Sequence, residues 1–213
     1  MRVGCPWRDV PKAFGDWSAV YRRFNLWSKK RVLTDLFVSL RQLSDNEWIF
    51  IDGSIVKAQQ HSAGASTQEH EGIGKSVAGN TTKTHIAVDS GGFPIDFYIT
   101  QGQVHDSKAA PELINKLPDA ECFIADRGYD SELIREQIRA RNAIPVIPRK
   151  RNSKVGNADM DWCLYKYRYL VENVFARLKH YQVIATRYDK LQRNYASTLA
   201  LACCIIWLPM WFD

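Results

Sequence analysis

Tyr165, Arg168, Glu172 and Lys179 lie in one stretch whose spacing suits joint chemistry. From Asp161 to Lys179 the chain has no Gly and no Pro. Leu164, Leu170, Val171, Val174, Phe175 and Leu178 recur at helical steps, so the stretch is predicted to be an amphipathic helix docked on a core. At about 100° per residue the four polar side chains fall within about 60° of one another, beside the apolar face. A solvated face would scatter its charges more widely. Here a carboxylate sits between two cations on the flank of a docking helix.

Two further acids have settings that point the same way. Asp52 interrupts the run WIFIDGSIVK, whose Ile, Phe and Val density predicts a strand buried on both faces. A carboxylate there is costly unless its charge is compensated, which makes Asp52 a candidate metal ligand. Asp126 ends a second apolar run in ECFIADRGYD, with Gly128 turning the chain. If the two strands are neighbours, both aspartates leave the sheet at the carboxyl ends of strands, where open α/β sheets place their ligands. The helix can then add Glu172. Three converging carboxylates need a cation to stay ionised, and hard divalent ions prefer oxygen donors. Two such ions can serve the attacking and the leaving oxygen of a phosphodiester.

The elements that must position these groups follow from the patterning. THIAVD, Ser90-Gly91-Gly92 and Phe93 to Thr100 predict a hairpin. A helix from an N-cap at Ser107 to Leu117 is next; His105 and Asp106 before it, at a strand end, suit either contact with a site or the commoner role of capping and orienting the loop. The strand ending on Asp126, a helix to Ala140 capped at Asp130 or Ser131, and the strand AIPVI make a βαβ unit, hence parallel strands. The predicted fold is therefore α/β, a mixed five-stranded sheet flanked by helices. Residues 1–45 are expected to form a helical N-terminal segment and residues 46–213 the main domain. In the former, Trp17, Val20, Tyr21, Phe24 and Trp27 alternate with Arg22, Arg23, Lys29, Lys30 and Arg31, a pattern that suits either DNA contact or a core edge with a wet basic face. Ala58 to Lys83 reads as a mobile loop. Its Gly74-Lys75-Ser76 is no P-loop, since Glu69 stands where that motif needs Gly.

Bulk properties narrow the class. The 213 residues carry a net charge of +6, which favours a polyanionic partner. Five cysteines form no CxxC pair, no zinc spacing and no disulfide framework, as expected of an intracellular protein, and no signal peptide opens the chain. Ala196 to Phe212 is nearly all apolar but short for a membrane span. It is predicted to be a buried terminal helix.

These residues resemble a known family. Tyr165-x2-Arg168-x3-Glu172-x6-Lys179 is similar at every spacing to the signature of bacterial insertion-sequence transposases of the DDE class, groups four and five. IDGSIV, GQVHD, ADRGYD, ATRYDK and GCPWRDVPKAFGDW resemble further family segments. The resemblance implies an RNase H-like core and catalytic metal ligation by Asp52, Asp126 and Glu172. Two Mg²⁺ ions per site are implied, with Mn²⁺ as a substitute. It also implies contact with DNA by Tyr165, Arg168 and Lys179. The expected partners are double-stranded DNA, as terminal inverted repeats and target, and a second copy of the chain. The expected setting is the bacterial cytoplasm at the nucleoid. Family members usually carry more helical sequence before GCPWRD, so a truncated or frameshifted copy is expected. The rival expectations are another RNase H-like nuclease and a non-catalytic DNA-binding remnant.

Overall fold

A computed structural model describes residues 3–62 and 72–208 of the chain. Its centre is the strand β1, Trp48–Ala58. Ile49, Phe50 and Ile51 are fully buried there, and their β-branched and aromatic bulk suits a pleated, covered surface. On one side β1 pairs antiparallel with β3, Gly79–Val88, from Phe50↔Val88 to Lys57↔Thr81. β3 continues through a tight turn into β4, Pro94–Gln101, as the hairpin pattern predicts. On the other side β1 pairs parallel with β5, Cys122–Ala125, and β5 pairs parallel with β6, Ile144–Val146.

Two short strands were hidden in the sequence. β2, Gly74–Ser76, lies on β3 within the stretch expected to be loop, and β7, Thr186–Arg187, lies parallel to the end of β1. The sheet thus has seven strands where five were expected. Residues 63–71 of the expected loop are outside the described residues. The five strands expected from the sequence keep the order β4-β3-β1-β5-β6, with β3 alone antiparallel among the central ones. That order and polarity define the RNase H-like topology.

The helices α1, Trp17–Lys29, and α2, Val32–Leu40, pack against the last helix α8, Gln192–Trp207. α8 is buried along most of its length. Trp207 stacks on Phe93 with ring centroids 4.7 Å apart and donates its Nε1–H to Pro94 O at 2.8 Å. α3, Asp106–Lys116, joins β4 to β5, and α4, Glu132–Arg139, joins β5 to β6. The cap of α3 is His105, two residues before the expected Ser107. Its ring accepts the Ser107 N–H at 3.2 Å. Ser131 precedes α4 without a side-chain capping bond.

The stretch predicted as one helix is built in three pieces: α5, Trp162–Tyr165, a 3-10 turn at Lys166–Arg168, and α6, Tyr169–Lys179. Backbone angles stay helical across the joints. The tighter turn eclipses residues three apart, which stacks Arg168 over Tyr165. The short α7, Gln182–Ala185, then leads into β7. Among the described residues, no helix is long and apolar enough to cross a membrane.

Candidate active site

The last rung between β1 and β5 is Ile51↔Ala125. Asp52, still paired with Ile86 of β3, and Asp126, which follows the end of β5, therefore stand side by side, each one residue past that rung. β1 is covered on both faces only before this point. Once β5 ends, Asp52, Gly53 and Ser54 become half-buried, which corrects the expectation of a carboxylate inside a doubly covered strand. Side-chain alternation puts Asp52, Ser54 and Val56 on the face they share with Thr84 and Ile86. Phe175 and Leu178 of α6 and Tyr195 and Leu199 of α8 close over that face.

α6 docks here because Val171, Val174, Phe175 and Leu178 form its buried stripe. Its polar flank then lies against Asp52. Asp52 Oδ1 accepts the Gly53 N–H at 2.8 Å, and Oδ2 accepts from Arg168 Nη1 at 3.0 Å. Arg168 Nη2 donates to Glu172 Oε1. Asp126 Oδ1 accepts the Gly128 N–H at 2.7 Å. One guanidinium thus joins Asp52 to Glu172, and Asp126 adds its charge from the neighbouring strand end.

The electrostatics follow from this packing. Burial pushes the Asp52 carboxyl above the ordinary carboxylate value. The Gly53 N–H and Arg168 oppose that rise, while Asp126 adds to it. Burial works against the Arg168 charge, yet Asp52 and Glu172 outweigh it and hold the guanidinium more firmly protonated. The bidentate fork of arginine suits two carboxylates at once, as a lysine would not.

Tyr165 is half-buried under Arg168, whose Cζ is 6.0 Å from the ring centroid. Lys179 is exposed two turns beyond Glu172, next to Ser54 and Val56 of β1. Asp126 thus lies at the carboxyl end of β5, Asp52 on the middle of β1 beside it, and Tyr165, Arg168, Glu172 and Lys179 on the segment that covers this face of β1. Hard oxygen donors that repel one another are the set a divalent ion prefers, and Asp52 and Asp126 fit as its ligands. Among the described residues no three His, Cys, Asp or Glu side chains stand close enough to hold one ion. Glu172 reaches Asp52 only through Arg168.

Of the two readings open for Asp106, touching a site or only orienting the loop, the structure favours the first: its carboxylate lies beneath Gly53 and Gly128, on the far side of the sheet from Arg168. The N-terminal aromatics partly pack on one another, Trp7 lying 5.4 Å from Tyr21 and 5.1 Å from Phe24 between ring centroids. Arg22, Arg23, Lys29, Lys30 and Arg31 stay exposed.

An RNase H-like sheet with one acid midway along its central strand β1, a second just past the neighbouring β5, and a basic flank on the covering helix defines a nucleic-acid-processing enzyme. Residues 44–207 match the family model described as transposase DDE domain, and residues 1–37 match the model described for transposases of the IS4/5 family. The chain belongs to the DDE transposases of bacterial insertion sequences. Two relatives are named as putative transposases. That of element IS6501 from Brucella ovis is 34% identical over 60% of this chain and 98% of its own length. That of element IS402 from Burkholderia cepacia is 32% identical over 59% of this chain and 62% of its own length. Among solved structures, a pre-cleavage Mos1 transpososome is similar with a TM-score of 0.34 and 13% identity, over 82% of this chain and 58% of that one. Membership of the DDE family carries divalent-metal use with it.

Proposed function

We propose that residues 46–213 form the catalytic domain of a transposase that cuts the ends of its element and joins them to target DNA, with residues 1–45 as a helical accessory segment. Asp52, Asp126 and Glu172 are the metal-holding acids in this reading, and Mg²⁺ is the resident ion, two per site, with Mn²⁺ as a substitute. When bound, such ions supply Lewis-acid activation of the attacking oxygen and stabilisation of the leaving one. The first reaction hydrolyses a phosphodiester at the element's end and frees a 3′-OH. That hydroxyl then attacks a target phosphodiester, so one such bond replaces another and no nucleotide is consumed. Two copies of the chain hold the two ends, acting on nucleoid DNA in the cytoplasm.

The single observation that supports this reading is Arg168, which reaches Asp52 and Glu172 at once from the turn leading into α6, with the charge of Asp126 also acting on it. A guanidinium has five N–H donors. Two serve the acids, and the others suit the phosphate next to the scissile bond. Lys179 meets the backbone further along the same flank, and Tyr165 supports Arg168 and offers a ring edge to a sugar or base.

The test is a nicking and strand-transfer assay on DNA carrying the element's ends, with Mg²⁺ or Mn²⁺ and with chelator. Metal-dependent cleavage that Asp52→Ala removes supports the reading. Folded protein that binds these ends without cutting them would identify a DNA-binding remnant. Cutting without joining would identify a nuclease.

A further inference from the structure

Gly53 and Gly128 follow the two aspartates closely, and the same carboxylate touches both. A Cβ on Gly53 would come within 2.8 Å of Asp106 Oδ1. A Cβ on Gly128 would come within 3.1 Å of Asp106 Oδ2 and 2.9 Å of Asp126 Oδ1. To admit a Cβ, the Asp106 carboxylate would have to shift at Gly53 and the Asp126 carboxylate at Gly128. We propose that Asp106 is a positioning residue that spans the backbone behind Asp52 and Asp126 and so fixes the separation of the two metal-holding carboxylates.

The surroundings of Asp106 show how it is itself held. Gly53, Lys83 and His85 alternate onto the face of the sheet opposite to Asp52. Lys83 Nζ stands 3.2 Å from Asp106 Oδ1 and donates to Val104 O at 2.9 Å, in the loop just before α3. The ring of His85 is fully buried, with Nδ1 3.2 Å from the Tyr129 hydroxyl and Nε2 3.1 Å from Thr100 Oγ1. Tyr129 ends the 3-10 turn Arg127–Tyr129, whose first cap is Asp126 itself. The turn carrying Asp126 is therefore pinned to β3 through Tyr129, and to β1 through Asp106.

Asp106 Oδ1 is buried and is compensated by the Lys83 ammonium at 3.2 Å, with no other hydrogen-bond donor among the described residues. Burying such a pair carries a desolvation cost. A residue kept only to cap a helix or close a loop would not need it, since His105 already caps α3. Carboxylates that ligate a hard divalent ion must be held to within about 0.5 Å of their working places. A rigid wedge between the two strand ends meets that requirement.

This inference rests on the proposed metal-holding role of Asp52 and Asp126, and its test separates the two. Mn²⁺ binding to the full chain is measured by calorimetry and by the loss of the free-ion paramagnetic resonance signal, per folded molecule, together with the thermal midpoint. Asp106→Asn keeps the shape and removes the charge. It is expected to weaken Mn²⁺ binding by about tenfold or more, as loss of outer-shell partners does, with the fold retained. Gly53→Ala pushes on the same carboxylate from the other side and should weaken binding likewise, which keeps the test valid if Asp106→Asn does not fold. Unchanged Mn²⁺ affinity in every folded variant, with Asp126→Asn abolishing it, would overturn the positioning role alone. Unchanged affinity in Asp126→Asn as well would overturn the metal-holding reading beneath it.

Discussion

Arg168 Nη1 lies 3.0 Å from Asp52 Oδ2, across 116 residues of chain. The contact ties the helix that bears Glu172 to the strand that bears Asp52. It also supplies the compensation that a carboxylate with only 18% of its side chain exposed requires. Docking of α6 and ionisation of Asp52 are in this sense one event.

Arg168→Ala is expected to destabilise the fold by about 1–3 kcal/mol, because it leaves a mostly buried carboxylate unpaired. Adding Asp52→Asn should recover part of that loss. Denaturant unfolding of the two single variants and the double variant measures the coupling. Strict additivity would mean that the ion pair does not form in solution.

Glu172→Gln should reduce nicking to background while salt-dependent DNA binding stays close to wild type. The substitution removes charge but preserves size. Parallel cleavage and binding titrations separate the two effects, and an unchanged cleavage rate would remove Glu172 from the triad.

Lys179→Ala should weaken DNA binding to a similar degree for every sequence and reduce the salt slope by about one unit. Binding isotherms at several salt concentrations, on element ends and on unrelated duplex, read both quantities. A loss confined to the element's ends would assign Lys179 to base recognition.

His85 predicts a pH dependence of stability. Burial, first of all, pushes its pKa down to about 4 from the ordinary 6.5. Asp106 opposes the shift and Lys83 adds to it. The unfolded chain takes up a proton that the folded chain refuses, so the contribution of His85 is whole above about pH 6.5 and fades as pH falls towards 4. Wild type should therefore lose stability across that window relative to His85→Gln, with a limiting slope of one proton. Unfolding curves at half-unit pH steps give the difference.

Trp207→Phe should cost about 1 kcal/mol through the lost bond to Pro94 O. Trp207→Ala should cost about 3–5 kcal/mol by opening a cavity in the core. Chemical denaturation measures both. Near-neutral values would mean that the end of α8 does not pack on the β4 turn.

The succession of the main strands along the chain was legible because WIFI, HIAV, CFIA and AIPVI are dense in β-formers and separated by turn and helix signals, whereas the neighbouring of β1 and β5 was only a condition of the site. It could not carry β2 or β7. Three residues of Gly-Lys-Ser and two of Thr-Arg have no periodicity, and they pair only because β3 and the end of β1 offer them an edge. The spacing of Arg168 and Glu172 was legible, since residues four apart share a helix face. Its partner Asp52 was not, because that contact depends on how α6 meets the sheet. Nor did any local pattern distinguish Asp106 from a capping acid. Its position under two glycines exists only once β1, β5 and the start of α3 are assembled.

The register of β1 has a further consequence. Asp52 faces Arg168, while Gly53 lies against Asp106, Lys83 and His85 on the other face. A slip of one residue would exchange the faces. It would drive the Asp52 carboxylate towards Asp106 and leave glycine opposite the arginine. Such a misthreaded sheet would set two carboxylates on one lysine and strip Arg168 of its partner on β1, so the alternation of β1 also ties its register to the charges on its two faces.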